Sequence, residues 1–188
     1  MILSDRDLKK IIKQKKLVIS PRLKPAQIGP ASIDLTLSPI FKLFHITKQS
    51  LMDPRKGLPE DFMETRILKK GETFILHPNN FILASTQEYI KVPDDLVIRV
   101  EGKSTLARMG ILVHTAGFVD PGFAGNITLE ISNQSNLAVV LYPGMYICQI
   151  AVETVSTPAE VPYNKRKRSI YRKARAKGTV EADPRNLF

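Results

Sequence analysis

Cysteine is all but missing from this chain of 188 residues: Cys148 stands alone. One cysteine excludes an internal disulfide and any zinc cage built from several thiolates. Tryptophan is absent and aromatics make up only 7% of residues, with no strand that interleaves them with basic side chains. A platform for stacking nucleic-acid bases is therefore not expected. No apolar run approaches the roughly 20 residues that span a bilayer. The opening MILSDRDLKK lacks the apolar stretch and small-residue cleavage site of a secretory signal, so a reducing, cytoplasmic setting is the expectation. The three histidines, His45, His77 and His114, lie far apart without ligand spacing, so no protein-held metal is expected. Neither a Ser-His-Asp order nor a nucleophile elbow is present.

What the chain does have is the composition of a globular domain, 43% apolar and 24% charged, at a length that suits one domain with a real core. Its net charge of +10 is unevenly spread. Lys165, Arg166, Lys167, Arg168, Arg172, Lys173, Arg175 and Lys177 form a run without an acid, and the remainder holds 20 basic against 18 acidic residues. The basicity belongs to a C-terminal segment, either a solvated tail or a phosphate-binding one. The chain divides accordingly into a β domain over residues 1–163 and a basic segment over 164–188.

Ser4 followed by Asp7, with Leu8, Ile11 and Ile12 at helical spacing, predicts a helix over about residues 4–14. Alternating Ile33, Leu35 and Leu37 predict a strand with one packed face. Residues 48–66 are polar and aperiodic and read as a long surface loop. From residue 67 the pattern is strand-turn-strand: RILKK, TFILHP, FILASTQEYI, LVIRVEG, NITLEISN, LAVVLYPGM and ICQIAVETV. Short runs broken by Gly, Pro and Asn predict a barrel or sandwich of β-strands. A two-turn helix interrupts them, with Ser104 as its cap and Gly110 as its stop.

Three clusters offer chemistry. Gly102-Lys103-Ser104-Thr105-Leu106-Ala107-Arg108 places a glycine turn and a lysine ahead of a helix, an arrangement that cradles anions or simply caps the helix. A Walker A loop is excluded, because its first glycine would fall at Val97. The second cluster, His114 to Gly125, is a glycine-rich turn carrying Asp120; its plain reading is a hairpin in which Asp120 caps its own backbone. In the third, Ile127, Leu129 and Ile131 point one way, and Thr128, Glu130 and Ser132 the other. A mid-strand glutamate ordinarily faces water. Enclosed in a pocket, Glu130 would instead carry a raised pKa and serve as a general acid and base.

In series these motifs resemble the dCTP deaminase family, whose β fold is that of the trimeric dUTPases. The resemblance spans nearly the whole chain. It begins at Met1-Ile2-Leu3-Ser4-Asp5 and Pro30-Ala31-Ser32-Ile33-Asp34-Leu35 and runs through the three clusters. It ends at Tyr142-Pro143-Gly144-Met145 and Tyr171-Arg172. It implies a distorted, jelly-roll-like β barrel with a short N-terminal helix and one short internal helix, assembled as a homotrimer with shared active sites. It implies roles as well: Glu130 as general base, Ser104 and the backbone of Ala116 holding the attacking water, and Arg108 in the catalytic pocket. Lys103 and Thr105 match the triphosphate-binding pair, and Thr128 lies on the strand of Glu130 among the substrate-binding positions. Asp120 matches the deoxyribose contact, Phe123 its bulky neighbour, and Tyr171, Arg172 and Lys173 a segment that folds over the nucleotide.

The activity implied is hydrolysis of dCTP to dUTP and ammonia, with Mg2+ carried by the substrate triphosphate and no zinc. Zinc base deaminases draw their nucleophile from a metal held by His and Cys, a ligand set that one cysteine does not supply. A positioned carboxylate must then move the protons itself. The run Thr115-Ala116-Gly117-Phe118-Val119-Asp120 resembles members that also cleave the triphosphate to dUMP, with Asp120 as candidate base. The tail departs from the family pattern, because Ile170-Tyr171-Arg172-Lys173-Ala174-Arg175 lacks the usual glutamine. The rival readings are a dUTPase-only enzyme and a noncatalytic module that binds nucleic acid through the tail. The first lacks its glycine-rich C-terminal motif here; the second would show salt-dependent binding.

Overall fold

The computed structural model describes residues 1–44, 52–55, 62–114 and 117–167. Helix α1 (Asp5–Lys13) opens the chain, followed by β1 (Val18–Ser20), a 3-10 turn at Pro25–Gln27, β2 (Ile33–Thr36), β3 (Ile40–Phe44) and β4 (Met63–Ile67). Then come β5 (Phe74–Leu76), β6 (Phe81–Lys91), β7 (Leu96–Gly102) and helix α2 (Ser104–Arg108). Strands β8 (Ile111–His114), β9 (Phe118–Val119), β10 (Ala124–Asn133), β11 (Val139–Leu141) and β12 (Tyr146–Thr154) complete the order. The mainly β expectation with two short helices holds. Among the described residues the strands make three sheets and no closed barrel: β4-β3-β6-β10-β8 with β1 also on β6, β2-β12-β7-β9, and the pair β11-β5. Breaks in register at Asn126/Thr128 and Tyr146/Cys148 bend the long strands, as bulges do, and let the sheets fold over one another.

The core lies between the two larger sheets. Ile33 and Leu35 of β2, Ile98 of β7 and Ile150 and Val152 of β12 meet Ile82 and Ile90 of β6 and Leu129 and Ile131 of β10 in one continuous cluster. Phe41 stacks on Phe74 at 4.6 Å between ring centroids, which ties the small sheet to β3. Leu8 of α1 is fully buried, and Ile11 and Ile12 pack against the same core. Lys9 bonds Asp5 one turn away at 2.6 Å and holds that carboxyl below its ordinary range. Among the described residues no helix is long and apolar enough to cross a membrane.

Two expectations need correction. The loop predicted over 48–66 ends early, because β4 starts at Met63; residues 45–51 and 56–61 lie outside the described residues. Only Met63 of β4 is buried, so this edge strand carries no alternation to read. Ser104 does not cap α2: it is the first helical residue, and Lys103 occupies the cap position without a side-chain cap bond. Gly110 does stop the helix. Its φ of +80° is one that glycine adopts freely, and a Cβ there would fall 2.7 Å from Ser135 Cβ.

Cys148 is fully buried on β12. Burial pushes its thiol well above the ordinary range, with the nearby Glu88 and Asp34 carboxyls adding to the effect. Only the thiolate reacts. Thiol titration of the native protein should therefore register nothing, and one group per chain should appear on denaturation. Rapid native labelling would show that β12 is more open than this.

Candidate active site

The strand β10 decides which face of Glu130 is wet. Ile127, Leu129 and Ile131 are at most 7% exposed and belong to the core. Thr128 and Glu130 stand on the opposite face and are half-buried. Glu130 sits opposite Leu83 of β6 on one side and His114 of β8 on the other. Cross-strand neighbours project to one face, so Glu130 shares its surroundings with buried Leu83, 7% exposed. Thr128 pairs with Ser85, whose Oγ is 2.8 Å from Ser38 Oγ. The acid thus rises from a floor of packed side chains and is neither fully enclosed nor on the outer skin.

Helix α2 is tied to the same region through β8, which begins one residue after Gly110 and pairs with β10 from Ile111–Asn133 to His114–Glu130. Leu106 is buried and anchors the helix, leaving Ser104, Thr105 and Arg108 exposed. The helix has five residues, too few for an appreciable dipole, so any anion must be held largely by side chains. Lys103 is already engaged: its Nζ donates to Asp34 Oδ1 at 2.7 Å. The two side chains are 25% and 20% exposed.

The glycine-rich turn is not a simple hairpin. Its β9 leaves the large sheet and pairs with β7 through Ile98–Val119 and Arg99–Phe118, and the chain then returns to the large sheet as β10. Asp120 is half-buried, and its carbonyl accepts the Phe123 N–H at 3.1 Å. A cap from its own side chain is not found among the described residues. Gly122, at φ +84°, closes the turn against the C-terminal region: a Cβ would lie 2.7 Å from Pro162 Cβ and 2.9 Å from Asn164 Oδ1. Tyr163 donates its N–H to Pro121 O at 2.8 Å, and its ring lies 6.0 Å from that of Phe123. Phe123 therefore packs on the core and on Tyr163.

Ala116 and the tail residues Tyr171, Arg172 and Lys173 lie outside the described residues. The structure lays α2 along β8: Gly102, just before Lys103, lies against Val113, next to the His114 that pairs with Glu130, and Arg108 ends the helix near Ile111. Asp120 and Phe123 stand beside the root of the basic segment. Sequence reading missed two features. One is Asp34 as the partner of Lys103. The other is a buried carboxyl, Glu88, 3% exposed, which accepts Gln27 Nε2, Thr36 N and Thr36 Oγ1, each at 2.9 Å. Asp34 was legible as a polar position in an alternating strand and as part of the Pro30–Leu35 motif, but without a partner. Glu88 gave no signal, since acids are rarely buried. Among the described residues no three His, Cys, Asp or Glu side chains gather as metal ligands.

A dCTP deaminase-like family profile matches residues 2–155. A protein of Methanobrevibacter smithii named dCTP deaminase, dUMP-forming, is 50% identical over 170 residues, covering 89% of this chain and 88% of its own. A protein of the same name from Dictyoglomus turgidum is 50% identical over 173 residues, covering 91% and 89%. Among solved structures, the 2'-deoxycytidine 5'-triphosphate deaminase of Agrobacterium tumefaciens aligns with a TM-score of 0.63 at 23% identity. It covers 82% of this chain and 48% of that one, a likeness of fold.

Proposed function

Since the chain belongs to the dCTP deaminase-like family, we propose that it hydrolyses dCTP to ammonia and a deoxyuridine nucleotide and carries the product to dUMP and pyrophosphate. The observation that carries this reading is the match, at half identity across about nine-tenths of both chains, to proteins named dUMP-forming dCTP deaminases. A dUTPase-only enzyme is the weaker alternative.

In this reading Glu130 takes a proton from the attacking water and returns protons to the pyrimidine ring and the departing ammonia. Ser104, with the Ala116 backbone, aims that water. Arg108 stabilises charge that develops on the tetrahedral intermediate. Lys103 and Thr105 meet the phosphates, Thr128 the base, and Asp120 and Phe123 the sugar. Asp120 also activates the second water, which attacks the α-phosphate. Mg2+ is brought by the triphosphate, whose oxygens are its natural ligands. The cytoplasmic expectation belongs to this proposal.

Glu130 is half-buried in a single chain, yet proton transfer of this kind works best away from bulk water. The missing cover is assigned to a neighbouring copy in a homotrimer and to the basic segment 164–188. That segment leaves the fold at Tyr163, directly against the Asp120 turn, within reach of a nucleotide bound there.

Incubation with dCTP and Mg2+, with dUTP in parallel, separates the readings. The proposal expects ammonia, dUMP and pyrophosphate from dCTP. Accumulating dUTP would limit the enzyme to deamination, and intact dCTP beside cleaved dUTP would reduce it to a dUTPase.

A further inference from the structure

Lys103 lies just beyond β7, and Asp34 is on β2; the strand between them in the sheet is β12. Cys148 and Gln149 of β12 face Leu35 and Asp34 on one side and Gly102 and Glu101 on the other. To bond Asp34 at 2.7 Å, the lysine side chain must fold back across β12 over its own sheet. It is not extended past α2. Asp34 itself is held firmly. Its carbonyl accepts Gln27 Nε2 at 2.9 Å, and the same amide bonds Glu88, which in turn fixes Thr36. Gln27 and Glu88 are 5% and 3% exposed. This network fixes the Asp34 backbone and so the place from which its carboxylate meets Lys103.

We propose that Asp34 is a positioning residue that keeps Lys103 neutralised and folded back in the free enzyme, and that the substrate's polyphosphate must displace it. This rests on the functional reading above. The physical argument is an exchange of anions. A lysine paired with a carboxylate offers little net charge to an incoming phosphate until that pair opens, and the released Asp34 then stands as a like charge near the phosphates. Asp34 therefore weakens binding of every polyphosphate ligand, product pyrophosphate included, and leaves the nucleoside portion untouched.

Calorimetric titration of the full chain with magnesium pyrophosphate, with deoxycytidine as the phosphate-free control, tests this. Asp34→Asn should bind pyrophosphate roughly fivefold tighter and lower KM for dCTP by a similar factor, on the scale of one partly exposed ion pair. Affinity for deoxycytidine should not move. The gain should shrink in high salt and vanish in a Lys103→Gln background, the signature of coupling between the two side chains. Asp34→Ser serves in its place if Asp34→Asn does not give a native thermal transition. Unchanged or weaker pyrophosphate binding in a folded variant overturns the proposal. So does a gain that persists without Lys103. If the wild-type protein releases no ammonia from dCTP, the functional reading fails first. If it does, and the variant binds pyrophosphate no tighter, only the role of Asp34 falls.

Discussion

Replacing Glu130 with glutamine should leave a folded protein that still binds dCTP but releases ammonia roughly 10²–10⁴-fold more slowly, the span typical of general acid–base catalysis. The substitution keeps the side chain's size and removes its ability to cycle a proton. Its position explains why the fold should tolerate the change. The neighbours Leu129 and Ile131 are fully buried and hold β10 in place, whereas Glu130 stands half-buried on the other face. Single-turnover release of ammonia, beside calorimetric binding of dCTP, separates chemistry from affinity. Turnover at the wild-type rate would remove Glu130 from the reaction and leave the proposed mechanism without a proton carrier.

A comparable loss, in stability this time, is expected from Glu88→Ala. Three donors end on this buried carboxyl; removing it takes the acceptor of the Thr36 N–H and leaves a cavity in the interior, while Gln27 keeps the Asp34 carbonyl and Thr36 Oγ1 keeps Gln87. A buried polar group without a partner costs about 1–3 kcal/mol. With partial relaxation the total should reach roughly 3–5 kcal/mol, among the largest effects of single substitutions. For a domain of this size that lowers Tm by about 10 °C. Calorimetric melting of the variant against wild type measures it. A shift of less than about 2 °C would mean that the Thr36 N–H finds another acceptor and that β2 does not depend on this network. Because Gln27 also holds the Asp34 carbonyl, Glu88→Ala should loosen the anchor of Lys103 as well.

Much of the architecture was legible in the chain's periodicity. Leu8, Ile11 and Ile12 marked the first helix, found at Asp5–Lys13. The runs FILASTQEYI, LVIRVEG and NITLEISN lie in β6, β7 and β10, and ICQIAVETV in β12 except for its last residue, Val155. They were legible as short apolar runs ended by Gly, Pro or Asn: β10 alternates over Ala124–Glu130 because one face is buried there, whereas β6 buries Ile82 to Thr86 on both faces and reads as a continuous run. Strand β4 has little to bury and shows neither pattern. The glycine-rich turn read as a hairpin because local signals report a bend without the destination of the chain; here β9 crosses to another sheet.

The same division runs through the site. Residue type and order were enough to mark Glu130, Lys103, Asp120 and their neighbours as candidates, and to exclude a cysteine-built metal centre, because chemistry follows from which side chains exist. Tertiary structure alone decided that Thr128 and Glu130 occupy the half-buried face, that Asp34 claims Lys103 across an intervening strand, and that the basic segment departs from the Asp120 turn. Ion pairs such as Asp34–Lys103 join residues 69 positions apart. Their formation depends on how sheets stack and strands register, quantities summed over the whole packed core and carried by no single stretch of the chain.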